Sequence, residues 1–118
     1  MFQAAKAFNE KGQQVWAIGV DMDQAYSLPE FESVILSSMM KRVDLATFDA
    51  AKAMIDGNFE VGTKALGIAE GAIGMADSTS KNTAPEVIEK ASEFEEKVKN
   101  GDLAIPATRS GVINFQIQ

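Results

Sequence analysis

A chain of 118 residues, 46% apolar and 24% charged, has the proportions of one ordinary globular domain. Its net charge of −6 argues against nucleic-acid binding through phosphate neutralisation and against docking on an anionic membrane surface. Lacking cysteine and histidine, it has no disulfide, thiolate nucleophile or lipid-attachment cysteine, and hydrolytic triads and zinc sites of the usual kinds are excluded.

No apolar run approaches the ~20 residues that span a bilayer. The N-terminus lacks the basic start and apolar stretch of a signal peptide, so a chain complete as written is expected to stay cytoplasmic. Phe2 to Lys11 reads as a short helix, with Phe2, Ala5 and Phe8 three apart and Gly12 as its stop. It reads as the tail of a longer element, because its first amides lack a cap. Val15 to Val20 is apolar at successive positions, the pattern of a strand covered on both faces. Trp16 inside it reads as core. Asp21-Met22-Asp23-Gln24 follows at once.

Tyr26 to Pro29 reads as a loop and Ser33 to Ser38 as a second short strand. Asp44 is expected to cap a helix running to Asp56, with Leu45, Phe48, Lys52 and Ile55 on one stripe and Gly57 closing it. Val61 to Met75, broken by Gly62, Gly67, Gly71 and Gly74, reads as one or two bent strands. Thr83 and Glu86 are spaced as a capping box for a helix whose apolar face is Val87, Ala91, Phe94 and Val98, closed by Gly101. Leu103-Ala104-Ile105 reads as a short strand before Pro106. Val112 to Gln118 is expected to be an edge strand or disordered. Strands alternating with helices imply an α/β fold with a largely parallel sheet. The low strand count suggests part of a larger sheet.

Asp21 is the first candidate for chemistry. Open parallel sheets take ligands beyond the carboxyl ends of their strands, where a carboxylate can accept hydrogen bonds from two vicinal hydroxyls. A plain loop or cap carboxylate is the alternative. Asp23 makes an Asp-x-Asp pair, which opens two sharper readings. As a calcium loop, Asp21, Asp23 and Glu32 occupy positions one, three and twelve, but Ala25 and Tyr26 stand where a ligand and the turning glycine belong. As a magnesium-dependent phosphohydrolase, one carboxylate attacks phosphorus and the other serves as acid and base, but no later acidic cluster on a strand end supplies further metal ligands. Lys41, between a strand and a helix, is placed either to reach a ligand oxygen or to neutralise these carboxylates. Arg42 reads as a solvated cation.

Several segments together resemble one family. "AIGVDMDQ" (17–24), "SVILSSMMKRVDLATFDAAKAMIDG" (33–57), "GIAEGAIGMAD" (67–77) and "FEEKVKNGDLAIP" (94–106) occur in an order similar to the basic membrane protein family, the purine-nucleoside-binding lipoproteins of bacterial ABC uptake systems. The resemblance implies the C-terminal portion of a type I periplasmic-binding-protein fold over residues 1–106, with residues 107–118 a divergent tail. It implies a solute-binding protein rather than an enzyme, with Asp21 and Lys41 contacting the ribose of a purine nucleoside and Asp23, which matches the motif too, as a third ligand-binding residue or a structural one. The partners it implies are the missing N-terminal lobe and an ABC permease, with no cofactor and no metal. The full-length family is extracytoplasmic and lipid-anchored. Ser38 to Val43 becomes the last hinge crossing, the helix from Asp44 packs on the N-terminal lobe, and "TKALGIAEG" returns. Apolar faces left open without that lobe also allow a second reading, a regulatory or self-assembling homo-oligomer on the same half-fold.

Overall fold

Phe2–Asn9 forms helix α1 in the computed structural model, which describes residues 1–116. It buries Ala5 against Ala17 and Val34, while Phe2 tilts onto Phe31 with ring centroids 6.0 Å apart. Gly12, at φ +79°, reverses the chain. The Asn9 side chain then acts as a length of strand: its amide donates to Val15 O at 3.0 Å and its oxygen accepts from Val15 N at 2.6 Å. That grip hands the backbone to strand β1 (Ala17–Asp21). Val15 and Trp16 therefore lie before the strand, and Trp16 is partly exposed rather than core.

The passage from β1 to its parallel neighbour β2 (Ile35–Lys41) is short. It consists of helix α2 (Gln24–Ser27) and a 3₁₀ segment over Pro29–Val34. The expected loop at Tyr26 is thus helical up to Ser27, because Asp23 caps it by accepting from Ala25 N at 3.2 Å. Pro29 sets the first turn of the 3₁₀ segment and draws Ser33 and Val34 out of the strand. The two strands pair from Ala17↔Ile35 to Asp21↔Met40, and β3 (Ile73–Met75) adds antiparallel on the far side of β2. The sheet is small, α/β in its surroundings, and mostly parallel.

Helix α3 (Val43–Ile55) leaves β2 at Arg42, and the chain returns at Ala72, where Arg42 N donates to Ala72 O at 2.8 Å. Asp44 does not cap α3. It lies in the first turn and its carboxylate is held by the Arg42 guanidinium. Of the stretch from Val61 to Met75, only the last three residues find a strand partner. Helix α4 (Pro85–Lys99) begins one residue later than a capping box requires: Pro85 takes its first position, and the Thr83 hydroxyl donates instead to Leu36 O of β2 at 2.9 Å. Gly101 at φ +81° ends α4, with Leu103 N bonded back to Lys97 O, and residues 104 and 105 are irregular, so no strand forms over 103–105. The tail folds as helix α5 (Arg109–Ile113), capped by Thr108. Of the expected terminal strand, 117 and 118 lie outside the described residues.

Among the described residues the fully buried apolar ones are Val34, Ile35 and five alanines, Ala5, Ala17, Ala25, Ala72 and Ala76. Alanine removes little area from water, so this core is thin. No residue of α3 or α4 is fully buried, and Ile55 and Val61 stand 86% and 91% exposed. The radius of gyration, 17.4 Å, exceeds the roughly 13–14 Å of a compact domain this long.

Within the sheet the packing is tight at one place. A Cβ on Gly19 would fall well inside 3.0 Å of both Ser38 Oγ and Gln24 Oε1, whereas a Cβ on Gly74 meets nothing within 4 Å. Gly19→Ala is expected to lower unfolding stability by about 1–3 kcal/mol, and Gly74→Ala to change it by no more than about 0.5 kcal/mol. Urea denaturation of the two variants checks this; equal midpoints for both would contradict it.

Candidate functional site

Strand β1 ends on Asp21, whose φ of +77° makes it the one non-glycine residue with a left-handed backbone among the described residues. Aspartate tolerates this region better than most residues because its short side chain can bond locally. Residues paired across a ladder share a face, so a regular strand would leave Asp21 beside Met40 and Lys41 on the other face. The left-handed turn takes Asp21 out of that alternation. Its Oδ1 lies 2.8 Å from Lys41 Nζ. The two side chains are 63% and 50% exposed, so the pair stands on open surface at the carboxyl ends of two parallel strands.

Asp23 is employed differently. Its Oδ1 accepts from Ala25 N and, at 2.5 Å, from the Ser78 hydroxyl; its Oδ2 accepts from Ser78 N at 3.1 Å. One carboxylate thereby caps α2 and ties it to the 3₁₀ turn over Asp77–Lys81. Hydrogen bonds to a charged acceptor contribute roughly 1.5–3 kcal/mol each, so Asp23 braces the loop that carries Asp21. The same turn is fastened to β2 by Ser37 Oγ and Thr79 Oγ1, 2.7 Å apart, and by Asn82, which donates to the carbonyls of Glu32 and Ile35.

Behind the turn, Gln24 lies across bare Gly19. Its Oε1 accepts from Val20 N at 3.0 Å, and its backbone N–H donates at 3.2 Å to Ser38 Oγ, which is 1% exposed. Sequence reasoning picked out Asp21, Asp23 and Lys41 and passed over Gln24, Gly19, Ser38 and Ser78. Gly19 carried a readable signal, since glycine inside an apolar strand marks a close approach of another group. Ser78, 55 residues from its partner, carried none.

Arg42 is exposed to solvent, as expected, and is also engaged with Asp44 through three hydrogen bonds of 2.8 to 3.2 Å at the root of α3. The calcium-loop spacing fails locally, because Ala25 and Tyr26 are helical. Among the described residues no group of three or more carboxylates is placed to hold a metal ion. Asp21 and Lys41 line none of the three grooves that follow, and Asp23 lines the first alone. One of about 700 Å³ includes Asp23, Tyr26, Met40 and Arg42. Another, about 530 Å³, runs between α3 and the returning segment past Leu45, Phe59 and Leu66. The third, about 310 Å³, is apolar and separates the sheet from α4 at Ile18, Met39, Val87 and Ala91.

Two solved structures share this backbone arrangement. One is an ABC transporter solute-binding protein from Aeropyrum pernix, with TM-score 0.67 and 23% identity over 93% of this chain and 38% of that one. The other, described as a transcriptional activator of the comK gene from Bacillus halodurans, gives TM-score 0.69 and 24% identity over 86% and 34%. The fold is therefore one that this chain shares with a part of each of those two chains. The profile of the PnrA-like ABC transporter substrate-binding proteins matches residues 2–109, and the chain belongs to that family. Among its relatives, a CD4+ T-cell-stimulating antigen of Listeria monocytogenes is 34% identical over 90% of this chain and 32% of its own length. A lipoprotein of Pyrococcus horikoshii is 28% identical over 93% and 34%. Basic membrane protein D of Borreliella burgdorferi is 28% identical over 96% and 33%. The chain thus spans about a third of the length of the curated relatives it matches.

The hydrogen bonds of the Arg42 guanidinium, helped by the Leu45 amide and then by the charge of Arg42, hold the Asp44 carboxyl down at about 2. A depressed carboxyl pKa contributes stability above the unfolded value and loses it as pH falls through the folded one. The start of α3 should therefore loosen between the ordinary value of 3.8 and about 2. NMR titration of the Asp44 carboxyl should find its midpoint near 2 in the native chain and back toward 3.8 in Arg42→Gln. An unchanged midpoint would show that the guanidinium is not the cause.

Proposed function

We propose that this chain supplies the C-terminal part of a purine-nucleoside receptor in a bacterial ABC uptake system, and that it makes and breaks no covalent bond. The Asp21–Lys41 pair, 2.8 Å apart at the ends of β1 and β2, carries the reading. An ionised carboxylate there accepts from two vicinal hydroxyls, and the neighbouring ammonium donates to a sugar oxygen, so together they suit a ribose. The sheet edge on which they stand is where open α/β sheets take their ligands. Asp23 serves this site from behind, as a brace.

The rest of the recognition falls to a second wall. In this reading residues 1–106 belong to the receptor's C-terminal portion, residues 107–118 form a divergent tail, and an N-terminal lobe contributes the contacts to the base. Val43, Phe48, Met54 and Ile55 of α3, all exposed, then pack on that lobe. Ligand would favour the closed arrangement by its differential affinity, and closure would be what the permease reads. Lipoproteins among the relatives support an extracytoplasmic, membrane-anchored setting for the whole receptor.

The same exposed residues favour a second reading, in which copies of the chain cover one another in a regulatory or self-assembling protein; the Bacillus halodurans neighbour, described as a transcriptional activator, gives it a precedent. Sedimentation separates the two, since a strict monomer that unfolds cooperatively argues against assembly. The phosphohydrolase reading has less support, because Asp23 is engaged by Ala25 and Ser78.

Calorimetry tests the receptor reading. In the receptor carrying these residues, Asp21→Asn and Lys41→Met should each weaken inosine or guanosine binding by about tenfold or more. The isolated 118-residue chain, having one wall, should bind weakly or not at all. Undiminished affinity in Asp21→Asn, or sub-micromolar affinity in the isolated monomer, overturns the reading.

A further inference from the structure

The left-handed conformation of Asp21 needs a cause. Nothing in a strand ending Gly19-Val20-Asp21 demands it, and most side chains would resist it. The cause lies on the edge of β1 away from β2. There the Val20 amide, one residue before the turn, donates to Gln24 Oε1 at 3.0 Å. Gln24 is itself fixed at its backbone amide by Ser38 Oγ, a hydroxyl 1% exposed. The carboxamide can occupy this position because Gly19 has no side chain; a Cβ there would collide with Gln24 Oε1 and Ser38 Oγ. Asp23, the cap of α2, closes the loop from its other end through Ser78.

We propose that Gln24 is a positioning residue for Asp21: with its backbone amide anchored to Ser38, its side chain, seated over Gly19, pins the Val20 amide and so sets the turn that brings the Asp21 carboxylate onto Lys41. It touches neither Lys41 nor the sugar. Without it, the chain from Val20 to Asp23 relaxes toward extended backbone, the strand's alternation is restored, and Asp21 swings toward the face of Met40. The consequence for nucleoside affinity rests on the reading of Asp21 and Lys41 as the ribose contacts; the consequence for the Asp21 backbone does not.

Two substitutions isolate the acceptor. Gln24→Met keeps the length and removes the oxygen, whereas Gln24→Glu keeps an oxygen at the same reach. The first readout is the strong intraresidue cross-relaxation between amide and α protons that a positive φ produces at Asp21, measured by NMR on this chain. It should be present in the native chain and in Gln24→Glu, and lost in Gln24→Met. The second is inosine affinity of the receptor carrying these residues, expected to fall about tenfold in Gln24→Met and to be largely restored in Gln24→Glu. A left-handed signature that survives in Gln24→Met overturns the proposal. If the signature is lost while Asp21→Asn leaves inosine affinity untouched, Gln24 still positions Asp21 and the ribose reading falls instead. Should Gln24→Met fail to fold, Gln24→Asn, one methylene too short to reach Val20 from the same backbone, gives the same comparison.

Discussion

A strand can approach another group closely only where it has no side chain, and the architecture around the candidate site depends on one such approach. Gly19 leaves room for the Ser38 hydroxyl and the Gln24 carboxamide in a space that a single methyl group would fill. Because Ser38 Oγ accepts from the Gln24 backbone amide and the Gln24 carboxamide accepts from Val20 N, α2 starts directly beyond β1 instead of after a wandering loop. Because α2 starts there, Asp23 is at its N-terminus and its carboxylate can serve two elements, the helix and the turn that carries Ser78. Asp21 is then the hinge between a strand and a helix that are each held independently. Its left-handed backbone is the geometric remainder, and the ion pair with Lys41 is the chemical one.

Elsewhere the chain is loosely invested. Among the described residues, five of the seven buried apolar side chains are alanines, and Val43, Phe48, Met54 and Ile55 of α3, with Phe59 and Val61 after it, face solvent. The excursion from Arg42 to Ala72 is fastened at its base, by the β2–β3 ladder and the Arg42–Asp44 contacts, and little along its length. Such a distribution suits a chain that ties down one side of a cleft with polar links and leaves its apolar area for another surface. The binding hypothesis and the thin core thus share a physical origin: a site with one wall and a fold with one covered face.

Elements were readable wherever the signal was local. Gly12, Gly57 and Gly101 end helices at positive φ because only a residue without a Cβ does so cheaply, and the strand ending at Asp21 announced itself by its uninterrupted apolar run. The errors had different causes, a distant acceptor for Thr83 and a cation two residues away for Asp44. Thr83 was spaced to cap α4 and bonds Leu36, 47 residues away; Asp44 was placed to cap α3 and is held by a guanidinium; Leu103 to Ile105 had strand character but no edge to join.

The family, the α/β class and the identity of the three polar residues at the strand ends follow from residue types and their order, which the chain carries in any conformation. That the 21 and 41 side chains meet, that the 23 carboxylate braces the loop, and that Gln24 governs the turn between them were decided only when strands distant in sequence came to lie side by side. Hydrogen bonds act over about 3 Å, and no spacing along a chain encodes which groups folding will bring within that reach.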